Sequence, residues 1–452
     1  MGHARPCMTK GCTRAVLAGM VVLATAACGD IAILPPADGM GPRPTLPPPQ
    51  HSLIPTVHIA PAKGWPKGVT PQAAPGMAVN AFAQGLEHPR WLYVLPNGDV
   101  LVAESNTPAK PDAAFNLKRW LSALTMKRAG AGVPSANRIT LLRDTNGDGV
   151  ADLRTVLLQG LNSPFGMALV GQDLLVANTD AVLRFPYTTG DTHITAAGAL
   201  VVSLPADPIN HHWTKNIIPS PDQKKLFVTV GSNSNVAERG MAAEAGRAAI
   251  WEVDLPSASH RVYASGLHNP NGMAWEPQSG ALWTVVNERD ELGNDLVPDY
   301  LTSVRDGAFY GWPYSYYGQH VDLRVTPPQP ALVALAVAPD YALGSHVAPL
   351  GLASSAGTTL PAAFAHGMFI GQHGSWNRKP HSGYKVVFVP FQDGRPAGLP
   401  VDVLTGFLSD QGDAFGRPVG VAIDRRGALL VADDVGNVIW RVHAQAAPDA
   451  RP

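Results

Sequence analysis

Two adjacent imidazoles, His211 and His212, open the string His211-His212-Trp213-Thr214-Lys215-Asn216, ahead of the apolar run Leu226-Phe227-Val228-Thr229-Val230. An imidazole titrates near neutral pH, so a neutral one held at a cavity mouth can take the proton of a substrate hydroxyl. That role is assigned to His212, with His211 beside it; a buried histidine bonded to a neighbouring loop is the competing reading. A second constellation is Asp144-Thr145-Asn146-Gly147-Asp148-Gly149-Val150-Ala151-Asp152. Asp144, Asn146, Asp148 and Asp152, with the carbonyl of Val150, have the spacing of a calcium loop, and Gly149 permits its sharp turn. A structural calcium site is expected there, between strands and away from the site; the alternative is a metal-free hairpin rich in Asx turns. The closing position holds Thr155 where such loops carry a bidentate Glu.

Two further groups complete the chemistry. The run Asn287-Glu288-Arg289-Asp290-Glu291-Leu292-Gly293-Asn294-Asp295 gathers carboxylates and amides that suit a hard cation or a sugar-like ligand, or else form a solvated loop. Lys215, Arg378, Lys379 and Arg417 recur at equivalent places along the chain. Brought together they form a cationic mouth around His212, fit for a small polyanion such as a polycarboxylate cofactor.

These residues must be positioned by a repeat. Six segments share one grammar of a Pro- or Gly-containing loop, a short apolar strand, a tight turn and a second apolar strand. They begin at His88-Pro89-Arg90-Trp91, Ser163-Pro164-Phe165-Gly166, the histidine string, Asn269-Pro270-Asn271-Gly272, Ala348-Pro349-Leu350-Gly351 and Arg417-Pro418-Val419-Gly420. A unit of a few short strands cannot bury both faces alone, so the expected fold is all-β: a six-bladed β-propeller of four-stranded antiparallel blades. The innermost strands start at these loops, which therefore meet on one axis. Residues 113–126 carry Phe115, Leu117, Trp120, Leu121 and Leu124 at near-helical spacing, a short helical insertion on the rim.

The 452-residue chain has 15% charged residues and a formal net charge of −1, which suggests neither nucleic acid nor an anionic membrane as a partner. Arg5, Lys10 and Arg14 precede an apolar stretch from Ala15 to Ala24 that is too short to span a membrane as a mature helix. Thr25-Ala26-Ala27-Cys28 then resembles a bacterial lipoprotein processing site. Residues 1–27 are read as a signal peptide, Cys28 as the lipidated first residue, 28–75 as a Pro/Ala-rich spacer with room for a strand or two between Thr56 and Lys67, and 76–445 as the propeller. The expected location is periplasmic or at the cell surface. No cysteine follows Cys28, which excludes internal disulfides and a Cys-x-x-Cys-His haem site from the mature body.

Several strings carry a resemblance: the run from Asn287 through Tyr300, Gly371-Gln372-His373-Gly374-Ser375-Trp376-Asn377-Arg378, and Val431-Ala432-Asp433-Asp434. They are similar to the soluble glucose, aldose-sugar and sorbosone dehydrogenases, six-bladed propellers that use pyrroloquinoline quinone (PQQ) with calcium. The resemblance implies His212 as catalytic base, with His211 where the glucose enzymes have an orienting Asp. It implies His268, Asn269 and Asn271 as PQQ contacts, and Lys215, Arg378, Lys379 and Arg417 near a clamp on the PQQ carboxylates. The backbone carbonyls of Asn287, Glu288 and Arg289 are implied as ligands of the cofactor calcium. Oxidation of a sugar or sugar-derived aldehyde, with electrons passed to an external quinone or cytochrome, is the activity so implied. Two other functions suit the same repeat. One is a lactonase or esterase with a metal held by Asn287, Glu288 and Asp433; the other is a non-catalytic ligand-binding propeller.

Overall fold

The computed structural model describes residues 1–2, 31–50, 56–108, 127–207 and 209–445. Cys28, almost all of the signal segment and the whole of the 113–126 insertion lie outside the described residues. Six antiparallel sheets stand around a central axis. The innermost strands are Pro89–Val94, Met167–Val170, Ile217–Pro219, Asn269–Trp275, Pro349–Ser354 and Pro418–Ile423, each at the start expected from the repeat. The ring closes between the chain's two ends: Met77–Gln84 pairs with Val438–Ala444 as the outer strand of the sixth blade.

Composition explains why these segments are strands. The second strands, such as Val100–Glu104 and Leu429–Asp433, are buried throughout because neighbouring blades cover both faces. They accordingly read as continuous apolar runs and not as alternating ones. Among the described residues the apolar core divides into six clusters, each in the seam between two adjacent blades. A propeller thus has no single centre of packing, and its axis is left for other purposes.

The Pro-x-Gly motifs explain how close the inner strands come. A Cβ on Gly351 would collide with the carbonyl of Val419 and the amide of Val421 in the next blade, which is backbone that cannot swing aside. Gly351→Ala is therefore expected to destabilise the protein by about 1–3 kcal/mol. A chemical denaturation midpoint checks this; an unchanged midpoint would mean the two inner strands have room to part.

The segment read as a spacer is docked instead. Met40–Gly41 adds a fifth strand to the fourth blade and Gln72–Ala73 extends the fifth blade. Between them, His58 and Ala62 form bridges to Asn377 and Ala414. Unpaired backbone N–H and C=O groups on blade edges account for this, since an extended Pro-rich chain can still satisfy them. The described helical content is small and includes Pro330–Leu335, which the sequence reading did not anticipate.

Candidate active site

Bulges at the top of the inner strands aim side chains into the axis. In the first blade Pro89 pairs with Glu104 and Trp91 with Ala103, so Arg90 is left without a partner in the ladder. The fifth blade skips Leu350 in the same way, and the fourth skips Asn271 and Gly272 against one residue. An extra residue in one strand re-aims its side chain. Arg90, Asn271 and Leu350 all line an axial cavity that opens to solvent.

His212 stands in the wall of this cavity, and its Nδ1 lies 2.8 Å from the carbonyl oxygen of Ser232. A carbonyl can only accept, so Nδ1 carries the proton and the Nε2 lone pair is left to act as a base. Burial, with His211 and His268 close by, pushes the His212 pKa well below 6.5. It is therefore neutral at neutral pH. The ring of His211 stands edge-on, 4.7 Å from that of His212 between centroids. Ser232 O, and not the ring of His211, fixes the orientation of the His212 imidazole. Only glycine fits at 231, because a Cβ there would collide with Asn269 Oδ1 and His212 Cβ. That contact brings two chain-distant residues side by side, as the funnel requires.

His268 packs 5.0 Å from His212 and places Nδ1 2.9 Å from Asn287 O and Nε2 3.2 Å from Ser234 O. Both partners are carbonyls, so the two bonds are made together only when both ring nitrogens carry protons. Asn269, Asn271, Asn287 and Glu288 share the wall. Of the expected site residues, His211, His212, His268, Asn269, Asn271, Asn287 and Glu288 are brought together here.

The four expected cations are not. Lys215 is fully buried beneath the histidine pair, its Nζ 3.4 Å from His212 O and 3.3 Å from Trp213 O. Arg378 is a strut: Nε donates to Asn294 O, Nη1 to Pro380 O and Nη2 to Asp295. Lys379 is exposed and bonds through its backbone, its amide donating to Asn294 Oδ1. Arg417 donates to Ala60 O and lies 4.9 Å over the Tyr384 ring. Each guanidinium met a nearby carbonyl or ring before it could reach the axis. Arg289 is likewise consumed by Glu288, Asp322 and the carbonyls of Pro313 and Ser315, which leaves only its backbone for any ligand.

The cavity also holds Asp290, from the carboxylate run, and groups given no role from sequence: Arg90, Asp299, His346, His373 and Asn377. A positional signal existed for most of them. Arg90 and His346 sit at or just before an inner strand, and His373 directly follows a second strand, so both kinds of strand end reach the same rim. Asp434 Oδ2 accepts from His373 Nε2 at 2.9 Å, carries the Arg90 guanidinium at 2.5 Å and has His88 at 3.5 Å. Burial opposes its charge, yet these partners hold its carboxyl far below the usual range. Burial also lowers His373, and lowers His88 to about 4. Elsewhere in the lining, burial works against charge on His346 and Asp290, but their mutual contact at 3.4 Å wins: it raises the imidazole and lowers the carboxyl. Asp299 accepts the amides of Glu288 and Ala348, and its burial lifts it to about 7.

Five lining residues retain a buried polar atom with no protein partner: Arg90 Nε, Asn269 Oδ1, Asn271 Oδ1, Glu288 Oε1 and Asn377 Oδ1. Unpaired buried polar atoms cost free energy, so their convergence on one cavity points to a polar ligand. Metal ligation by side chains is a poorer fit. Among the described residues no three His, Cys, Asp or Glu converge as ligands would. Asp433, required by the lactonase reading, accepts from Trp65, Trp440 and two backbone amides instead. In the 144–152 loop, Asp144 accepts the amides of Gly147 and Gly149, Asp148 that of Val150, and Asp152 both donors of Thr145. Asn146 bonds Asp148, and Arg426 reaches Gly147 O. In this structure the loop's carboxylates bond its own amides and Thr145, and the Arg426 guanidinium stands beside Asp144.

Fold and site define a class: six-bladed propellers whose axial funnel holds a neutral imidazole among amides and carboxylates. The chain belongs to the TrAA12-like family, which matches residues 131–300 and 333–445. The PQQ-dependent pyranose dehydrogenase of Coprinopsis cinerea is 24% identical over 345 residues, 62% of this chain and 46% of that protein. An uncharacterized protein of Borreliella burgdorferi is 29% identical over 242 residues, 53% of this chain and 62% of that one. The chain thus spans less than two-thirds of the curated relatives it matches. Among solved structures, the Trichoderma reesei AA12 protein superimposes with a TM-score of 0.67 at 19% identity, covering 86% of this chain and 99% of that one. The holo PQQ domain of the Coprinopsis cinerea enzyme gives 0.66 at 20%, covering 85% and 100%.

Proposed function

We propose that this protein is a PQQ-dependent dehydrogenase of a sugar or sugar-derived aldehyde, exported and held at a membrane through lipid on Cys28. The observation that carries the reading is His212: a neutral imidazole locked by Ser232 O, its free nitrogen in a cavity ringed by unpaired polar atoms. The TrAA12-like match and the PQQ-dependent relative support the choice of cofactor.

A planar tricarboxylate quinone suits this donor set in a specific way. Arg90, His268, Asn269 and Asn271 would hold it, with the Arg90 guanidinium in the place first assigned to Lys215, Arg378, Lys379 and Arg417. Calcium belongs to the same proposal, at the strand end of Asn287, Glu288 and Arg289, where Glu288 Oε1 is a carboxylate oxygen without a protein partner. When bound, PQQ supplies the hydride acceptor and calcium the Lewis acid that polarises it. His212 Nε2 takes the proton of the substrate hydroxyl, the sugar C1 hydroxyl or that of a hydrated aldehyde. Ser232 O holds the ring through that transfer, and Trp213 and Trp376 narrow the mouth against water. Electrons leave to an external quinone or cytochrome.

The test is to load purified protein with PQQ and Ca²⁺, desalt it, and assay dye reduction with aldoses and ketoaldehydes. Retained quinone absorbance with sugar-dependent reduction is the expected result; loss of all quinone on desalting would overturn the reading. A pH profile adds a second check. Because His212 titrates below 6.5, the acid limb of kcat/KM is expected below 6.5. A limb at or above that value would assign the base elsewhere.

A further inference from the structure

We propose that the lip of the axial cavity formed by residues 31–33, 57 and 376–379 docks on the surface of the lipid bilayer, so that the cavity opens toward the membrane. The inference rests on the reading of Cys28 as acylated and adds an orientation to it. A free spacer of nearly fifty residues would leave the propeller free to face anywhere. The docked segment removes that freedom. The amide of Ala32 donates to Lys379 O at 2.8 Å, and those of Ile33 and Leu34 donate to Asp295 Oδ2 at 2.7 and 3.0 Å. The chain from Ile31 onward is thus fastened to the loop that carries Trp376 and Asn377, two residues of the cavity wall. Cys28 lies three residues before Ile31, a stretch that can span at most about 11 Å. Lipid on Cys28 would therefore enter the bilayer no more than about 11 Å from Ile31.

The side chains at that lip suit a headgroup boundary. Ile31 is 53% exposed, Ile33 78%, Val57 58% and Trp376 42%. Val57 belongs to the same patch because His58 donates to Trp376 O and bridges Asn377. Exposed Lys379 follows Trp376 by three residues. Aliphatic groups, an indole and a lysine beside an acyl anchor are the composition of an interfacial contact, in which the indole sits at headgroup depth.

The experiment uses mature protein purified from membranes, its acyl-Cys28 verified by mass, and placed on vesicles of phosphatidylcholine and phosphatidylglycerol carrying brominated chains. Subtracting the emission of a Trp376→Phe variant isolates the Trp376 signal from the other indoles. Shallow bromines are expected to quench that signal at least twofold more than unbrominated lipid does. The double variant Ile31→Asp/Ile33→Asp should lose most of this quenching while staying vesicle-bound and keeping its PQQ-dependent dye reduction. Equal Trp376 emission on brominated and plain vesicles, with undiminished quenching by acrylamide, would overturn the docking. Shielding by native membranes but not by pure lipid would replace the bilayer with a protein partner and also overturn it. A mature protein without acyl on Cys28 sinks the anchor itself, and the mass distinguishes that failure from a failure of docking or of catalysis.

Discussion

His212→Ala is expected to lower kcat by about 10²- to 10⁴-fold while PQQ binding and the unfolding midpoint stay unchanged. The size follows from removing the group that accepts the substrate proton; each decade corresponds to about 1.4 kcal/mol of barrier. The fold should tolerate the change because the ring is only half-buried and its one strong bond is to Ser232 O. His212→Asn can place an amide N–H on the same carbonyl yet offers no basic nitrogen, so it should be as inactive as the alanine variant. By contrast, His211→Ala should cost little, since the carbonyl of Ser232 and not His211 sets the tautomer. Single-turnover dye reduction with PQQ-loaded variants checks all three. An active His212→Asn enzyme would show that positioning, and not proton removal, is what the residue supplies.

Asp434→Asn is expected to destabilise the protein by about 3–5 kcal/mol, the cost of leaving a buried cation without its counter-ion. Arg90 and His373 both bond this carboxylate, and Arg90 Nε has no other protein partner to turn to. The substitution keeps the shape and removes only the charge, so a packing defect cannot explain the loss. A fall in the denaturant midpoint at constant slope is the readout. An unchanged midpoint would mean that water already screens the cluster. The cluster also sets the acid stability of the wild type. His88 and His373 are held neutral, with folded pKa values below 6.5. Between 6.5 and about 4 the unfolded chain takes up protons that the folded His88 refuses, so stability falls as pH drops through that window. Asp434, whose carboxyl is depressed further, adds its own loss only below the ordinary carboxylate range.

The contrast between Gly351 and Arg417 shows how much was legible beforehand. Gly351 sits in a repeated Pro-x-Gly string, and the repeat alone placed it at the axis, where it touches the next blade. Arg417 opens the same kind of string, yet its long side chain turned to Ala60 and Tyr384, groups far away in the chain. His212 was legible because its place depends on the backbone of a repeat unit; its orienting partner was not, because a carbonyl has no residue signature. Asp434 appeared within a quoted string, but its role arises only where the fifth, sixth and first blades meet. The spacer misled for a related reason: Pro-rich sequence without periodicity carries no record of the edge it will lie against.

Strand starts, the number of blades and the height of His212 on the funnel follow from local pattern, because apolar runs and turn residues act over a few positions of chain. Which cation reaches the cavity, which carboxylate holds it, and how residues 32–34 are fastened beside the lip were decided by the closed ring. Those outcomes depend on desolvation and hydrogen-bond partners contributed by distant segments, and such competition has a winner only once all the blades are packed.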